Sequence, residues 1–177
     1  MILGIDPGSR VTGYGLICSA GGSLRAVDWG YIAPPLTAPL PERIGLIAEG
    51  IQGLLAQFQP TEVAIEAQFV HLNPQSALKL GLVRGAILFA ARLCGIQSFE
   101  YSPALIKKRC SGCGRASKLQ IRHFVASTLH IDSSQLTFDA ADALATAFCH
   151  WRQGDARERL KVRSQFTNAA TFTPKAL

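Results

Sequence analysis

The sequence predicts an α/β protein with a five-stranded mixed sheet flanked by helices. Three strand-like apolar runs come first, and two further runs then alternate with helical patterns. The length of 177 residues suits one domain with a full core. We expect residues 1–151 to form this domain and residues 152–177 to form a basic, flexible tail.

Turn signals divide the start of the chain into three strands. The apolar run at residues 1–5 ends at an Asp-Pro-Gly-Ser turn, and residues 11–19 form the second predicted strand. The Gly21-Gly22 pair predicts a hairpin into a third strand at residues 24–32.

The later elements follow from helical spacing and from prolines. Pro41 suits a first helical turn, and the apolar spacing continues until Pro60. We then expect a strand at 62–66, a helix at 76–93, a strand at 96–101, a short helix opened by Ser102-Pro103, and helices at 117–129 and 138–151. The helix at 76–93 carries two glycines on one face, at 81 and 85, which predicts the close approach of another backbone.

Composition and charge limit the functional class. Charged residues interrupt the most apolar helical segment, which argues against a membrane span, and no basic-then-apolar leader opens the chain. Five cysteines without framework spacing favour a cytoplasmic protein. Basic side chains concentrate in residues 79–122, where Glu100 is the lone acid. That pattern is typical of a polyanion held beside acidic segments, and a solvated helix face explains it equally well.

Carboxylates end or interrupt three apolar runs. Asp6 and Glu66 each end a predicted strand. Asp139 and Asp142 lie three residues apart, on one face of a predicted helix. If these groups converge, their repulsion calls for a cation, and all-oxygen ligands favour Mg²⁺ or Mn²⁺. Two such ions can promote phosphodiester hydrolysis, although each acid taken singly is explained by solvation or helix capping.

Five segments, in order, resemble the RuvC family of Holliday-junction resolvases. They lie at residues 2–15 (Ile-Leu-Gly-Ile-Asp-Pro-Gly-Ser-Arg-Val-Thr-Gly-Tyr-Gly), 65–69 (Ile-Glu-Ala-Gln-Phe), 76–81 (Ser-Ala-Leu-Lys-Leu-Gly), 114–118 (Gly-Arg-Ala-Ser-Lys) and 139–144 (Asp-Ala-Ala-Asp-Ala-Leu). The resemblance implies an RNase H-like fold and a homodimeric, Mg²⁺-dependent endonuclease acting in recombination and DNA repair. It implies paired nicks in a four-way DNA junction that leave 5′-phosphate and 3′-hydroxyl ends.

The resemblance also implies roles for individual residues. The catalytic metal ligands would be Asp6, Glu66, Asp139 and Asp142, with two Mg²⁺ ions that Mn²⁺ can replace. DNA contacts would come from Phe69, stacked on a base, and from Lys107 and Lys118 on phosphates, with Arg10, Lys79 and Arg84 as further candidates. The helix at 76–93 would form the dimer, and a RuvA–RuvB branch-migration complex would be a partner.

Some positions depart from the family pattern. Leu72 and Leu82 stand where the family tends to have basic and polar residues, so those two DNA contacts are in question. Cys110 and Cys113 are explained by zinc binding, by a redox switch or by two incidental thiols.

Rival functions also have a basis in the sequence. A junction-binding module without catalysis and a YqgF-type nuclease acting on RNA are the alternatives. The Asp-Pro-Gly-Ser turn also resembles a phosphate loop of actin-like ATPases, but such proteins need two half-domains and this chain has room for one.

Overall fold

The computed structural model describes residues 1–20, 23–67 and 74–154. The strands are β1 (Ile2–Asp6), β2 (Thr12–Ala20), β3 (Ser23–Ile32), β4 (Glu62–Glu66) and β5 (Gln97–Tyr101). The helices are α1 (Leu40–Phe58), α2 (Pro74–Leu93), α3 (Pro103–Ser111), α4 (Lys118–Leu129) and α5 (Phe138–Gln153), with a 3₁₀ turn at Ser133–Gln135.

These elements agree with the predicted ones, with small shifts at their ends. Helix α2 begins at Pro74, two residues earlier than predicted. Helix α5 continues to Gln153, so the first two residues of the predicted tail are helical. Residues 155–177 and the predicted turn at Gly21-Gly22 lie outside the described residues.

The five strands form one mixed sheet in the order β3-β2-β1-β4-β5. The first three strands pair antiparallel, whereas β4 and β5 run parallel to β1. Parallel neighbours need long crossovers, which α1 and α2 supply. The predicted five-stranded mixed sheet is therefore confirmed.

Alternation along the strands sends neighbouring side chains to opposite faces of the sheet. Leu3 and Ile5 of β1 join the hydrophobic cluster formed with α1 and α2. Ile2 joins the other cluster, formed with α3, α4 and α5. Gly4 and Asp6 share the parity of Ile2, so both face α5.

Glycines let α5 pack unusually close to the sheet. A Cβ atom added to Gly4 would lie 2.1 Å from the carbonyl oxygen of Ala143, and one added to Gly13 would lie 2.1 Å from that of Asp139. Most of α5 is buried, and its side chains toward the sheet are largely alanine. The strands therefore fix the position of α5 through direct contact with its backbone.

Side-chain caps start the last three helices. Ser102 Oγ accepts from the Leu105 N–H at the start of α3, and Thr137 does the same for Ala140 at the start of α5. Ser117 and Gln120 form a reciprocal capping box on α4. Within the described part of the chain, no helix combines the length and the apolar character that a bilayer crossing requires.

Candidate active site

A cleft of about 330 Å³ opens at the carboxyl ends of β1 and β4, against α3, α4 and α5. It is lined by three carboxylates, two ammonium groups and three apolar side chains: Asp6, Glu66, Asp142, Lys107, Lys118, Pro103, Ile106 and Ile121. The structure thus brings together three of the four predicted carboxylates and both lysines.

Strand parity explains why Asp6 and Glu66 meet. The parallel strands β1 and β4 pair Ile5 with Ile65, so the next residue on each strand is a carboxylate. Both carboxylates share the face of the sheet that packs against α5. The Ala67 N–H donates to the Tyr101 carbonyl at 2.8 Å, which extends the pairing of β4 with β5 beyond Glu66.

Asp139 and Asp142 reach this region on the first two turns of α5. Asp142 lines the cleft, whereas Asp139 lies one turn earlier and does not line it. Both negative charges, together with Asp6, raise the pKa of Lys118. Asp139 therefore belongs to the same electrostatic cluster without lining the cleft.

The surroundings of Glu66 favour its protonated form. Burial raises the pKa of Glu66 to about 8, and the charges of Asp6 and Asp142 add to this effect. Lys118 and Lys107 act in the opposite direction but do not cancel it. A cation bound beside these carboxylates would favour the ionised form of Glu66.

Lys118 forms a hydrogen bond with one of the carboxylates in the cleft. Its Nζ donates to Asp142 Oδ2 at 3.1 Å, and this bond is the largest cause of its raised pKa. The lysine side chain is nevertheless 66% exposed, whereas that of Asp142 is 17% exposed. The ammonium group is thus accessible to an anion that enters the cleft.

The donor set fits a divalent cation in chemistry, because it consists of carboxylate oxygens alone. In the arrangement that the described residues adopt, however, no three Asp, Glu, His or Cys side chains form a group that could hold one ion. One oxygen of Asp142 accepts the hydrogen bond from Lys118 at 3.1 Å.

Comparison with known proteins identifies the family. The family described as "Crossover junction endodeoxyribonuclease RuvC" matches residues 2–150. The chain belongs to the RuvC family. A member from Halorhodospira halophila is 49% identical over 149 residues, which cover 84% of this chain and 88% of that relative. A member from Protochlamydia amoebophila is 45% identical over 150 residues, which cover 85% of this chain and 89% of that relative.

A solved structure of the family agrees with the fold. Thermus thermophilus RuvC, in complex with a Holliday junction substrate, has a TM-score of 0.79 and 31% sequence identity. The match covers 85% of this chain and 92% of that one. The RNase H-like fold and the RuvC resemblance predicted from the sequence are both confirmed.

Among the described residues, the predicted DNA contacts Arg10, Lys79 and Arg84 do not line the cleft. Arg10 follows β1 on an exposed turn, and Lys79 is exposed on α2. Phe69 and Leu72 lie outside the described residues, so their predicted roles stay predictions. Leu82 is 46% exposed on α2.

Arg84 is held by an ion pair that the sequence does not reveal. Its Nε and Nη2 donate to the two carboxylate oxygens of Glu100 on β5, the second at 2.6 Å. It lines a small pocket with Glu66 and Pro7. Any contact of Arg84 with DNA must therefore compete with, or extend from, this pair.

The Cys110/Cys113 pair has the features of two incidental thiols. Cys110 is buried, and its Sγ–H donates to the Ala145 carbonyl at 3.8 Å. Burial raises the pKa of Cys110 to about 12, which keeps the thiol protonated and unreactive. Cys113 is exposed, and the described residues contain no cysteine–histidine cluster that could hold zinc.

Sequence reasoning missed the glycines that position α5. Gly4 and Gly15 are paired across β1 and β2, and Gly13 lies opposite Asp6. A Cβ on Gly15 would meet the Leu144 side chain at 2.5 Å. Alternating glycines in a strand were the available signal, because they indicate close approach by another backbone.

Proposed function

We propose that this RuvC-family endonuclease, which resolves Holliday junctions, does so by metal-dependent hydrolysis at the carboxylate cleft. The observation that carries the proposal is the convergence of Asp6, Glu66 and Asp142 with Lys107 and Lys118. The lysines would attract a phosphodiester, and the carboxylates beside them would attract a divalent cation. The fold neighbour from T. thermophilus, described with a Holliday junction substrate, supports the choice of DNA.

The four predicted carboxylates are the proposed ligands of two Mg²⁺ ions, with Mn²⁺ able to replace them. Bound there, such ions supply an activated water and neutralise charge on the leaving oxygen. Asp6 and Glu66 contribute from rigid strand ends, while Asp139 and Asp142 contribute from α5. The raised pKa of Glu66 supports this assignment, because the negative charges of Asp6 and Asp142 that add to the effect of burial would also attract a cation.

The lysines are proposed to hold the reacting phosphate. Lys107 lines the cleft from α3, and the exposed Lys118 reaches it from the first turn of α4. If Asp142 held a cation in place of Lys118, the Lys118 ammonium would be available to pair with a phosphate oxygen. Attack of water in line with the 3′ oxygen then breaks the P–O3′ bond, which leaves a 5′-phosphate and a 3′-hydroxyl.

A twofold homodimer is proposed through α2. One face of this helix carries exposed apolar residues at intervals of four and seven, namely Leu78 (67% exposed), Leu82 (46%), Phe89 (65%) and Leu93 (60%). Gly81 and Gly85 share that face and have no other atom of the described chain within 4 Å of a Cβ position. An apolar patch of this kind is typical of a protein interface, and a twofold pair matches the two strands of a junction.

Further assignments rest on family membership. We propose that residues 1–151 form the nuclease domain and residues 152–177 a basic tail, since the family match ends at residue 150. Phe69 is proposed to stack on a base, and Arg10, Lys79 and Arg84 to contact the DNA backbone. A RuvA–RuvB complex is the proposed partner in the cytoplasm, where chromosomal DNA lies.

The test is cleavage of a synthetic four-way junction with a mobile core. With Mg²⁺, we expect nicks in two strands of like polarity, at symmetric positions, with ends that DNA ligase reseals. A linear duplex of the same sequence serves as the control, and EDTA should stop the reaction. Junction binding without nicks would favour the non-catalytic module, and cleavage of RNA in preference to the junction would favour the YqgF-type nuclease.

A further inference from the structure

A second concave surface lies beside α3, on the side away from the cleft. Its volume is about 680 Å³, and it is formed by α3, α4 and the end of α5. Ile106 and Lys107 point into the cleft, whereas Lys108 and Arg109 line this second surface. Because these positions lie on opposite faces of α3, the helix separates the two sites. We call the second surface the basic groove.

The floor of the basic groove is apolar and tightly packed. Phe148 is 5% exposed, and its ring lies 5.1 Å from that of Phe124, edge to face. The ring of Trp151 lies 5.7 Å from Phe148 on the other side. Such a floor suits an apolar side chain, because it offers a preformed and water-excluding surface.

The charged side chains that line the basic groove, which we call its rim, are all cationic. Lys108 and Arg109 lie on one side and Arg152 on the other, and no acidic residue lines the groove. Among the ion pairs of the described residues, none involves these three side chains. Three like charges around an apolar depression repel one another, so an anionic ligand gains free energy there.

We propose that the basic groove binds an acidic segment of a partner protein through one large apolar side chain. The apolar side chain would pack on the half-buried part of the floor at Leu105, Phe124 and Trp151, and flanking carboxylates would pair with the basic side chains. This combination of a desolvated anchor and a charged rim is the usual anatomy of a peptide-binding site.

Two other occupants fit the groove less well. Nucleic acid would pair with the basic side chains, but a duplex backbone has no apolar group for the floor, and the Phe148 ring is covered by the Arg152 guanidinium, which lies 5.9 Å from its centroid. Residues 155–177 of this chain contain five basic and two acidic side chains, so their net charge has the same sign as the rim.

The test begins with selection of random peptides on the full-length protein, followed by fluorescence anisotropy of the selected peptides. We expect sequences rich in Asp and Glu around a Phe, Leu or Trp. Arg109→Glu should weaken their binding about tenfold or more. Thr128→Trp, which fills the groove without changing charge, should have a similar effect, whereas Arg25→Glu on β3 makes the same charge change elsewhere and should leave affinity within about twofold.

Junction cleavage and circular dichroism report whether each variant is folded. Failure to select acidic peptides with an apolar anchor would overturn the proposal, as would peptide affinities that neither Arg109→Glu nor Thr128→Trp changes. If Arg109→Glu instead weakened a single-stranded oligonucleotide or the junction about tenfold and left the peptides unaffected, the groove would be a nucleic-acid site.

Discussion

Helices α5 and α2 both carry small residues on one face, but those faces meet different neighbours. On α5, Ala143 and Ala147 lie against Gly4, where a Cβ would be 2.1 Å from the Ala143 carbonyl oxygen. On α2, Gly81 and Gly85 have no comparable neighbour in the described chain. Small residues therefore indicate close packing, while the sequence alone does not say what they pack against.

Because their small-residue faces meet different neighbours, we assign different roles to α5 and α2. The contact of α5 with the sheet fixes the backbone that carries Asp139 and Asp142 beside the ends of β1 and β4. The open face of α2 has no such partner within the described residues, and we assign it to a second subunit. The proposed chemistry thus depends on α5, and the pairing of two cuts depends on α2.

The largest expected effect is on the α5 side, at Asp142. Asp142→Asn removes one proposed metal ligand, so junction cleavage should fall about 10³-fold or more. The affinity for the junction should stay within about twofold of the wild-type value, because removal of a negative charge does not weaken the attraction of the protein to DNA phosphates. Gel-based cleavage and binding assays measure both. Asp132→Asn is the matched control, since Asp132 caps a 3₁₀ turn and does not line the cleft. Cleavage by Asp142→Asn at the wild-type rate would refute the assignment of Asp142 as a metal ligand.

Packing of α5 on the sheet is tested by Gly4→Ala. The new methyl group would meet backbone atoms of Ala143 and Ala147, which do not move independently of the helix. We expect a loss of about 4 kcal/mol or more in the free energy of unfolding, measured in urea. Gly53→Ala on α1 has no atom within 4 Å of the new carbon and should instead stabilise by up to about 1 kcal/mol. Equal effects from the two substitutions would contradict the close contact.

The α2 side is tested by Leu78→Glu. A charge on this exposed apolar face should raise the dimer dissociation constant about tenfold or more, measured by sedimentation, with the monomer fold intact. Leu36→Glu changes a side chain of similar exposure, in a turn before α1, and should leave the dimer unchanged. A dimer that tolerates Leu78→Glu would remove α2 from the interface.

The smallest expected effect is the pH dependence of the metal-free protein. The pKa of Glu66 is about 8 in the folded state, above its ordinary value of 4.5, so the folded state binds this proton more tightly than the unfolded state does. The free energy of unfolding should therefore fall as pH rises from about 4.5 to about 8.

Glu66→Gln should flatten this dependence. We expect thermal midpoints in EDTA to drop more between pH 5 and pH 8 for the wild type than for the variant, by a few degrees. Addition of Mg²⁺ at pH 8 should raise the wild-type midpoint by mass action. If the thermal midpoints of the two proteins depended on pH in the same way, the pKa of Glu66 would not be raised in the folded state.

Local sequence patterns were sufficient to predict most of the architecture. Pro41 and the Ser102-Pro103 pair marked helix starts, and the ends of two apolar runs placed Asp6 and Glu66 at strand ends. Those signals are local, so they can be read without knowing which elements pack together.

The features that were missed depend on long-range packing. The pairing of Arg84 with Glu100 joins α2 to β5, and nothing near either residue predicts it. Lys107 and Lys108 are adjacent in the chain, yet they line different sites because α3 lies between the cleft and the basic groove. The glycines of α2 suggested close approach, whereas the contact seen in the structure is at the glycines of β1 and β2.

Two subunits, each with its own carboxylate cleft, are proposed to cut one strand each of the junction. The most direct measurement mixes wild-type protein with excess Asp142→Asn protein and follows a supercoiled plasmid that extrudes a cruciform. Wild-type protein should produce linear plasmid, whereas mixed dimers with one active cleft should shift the products to nicked circles. A ratio of linear to nicked product that does not change with added Asp142→Asn protein would contradict the claim.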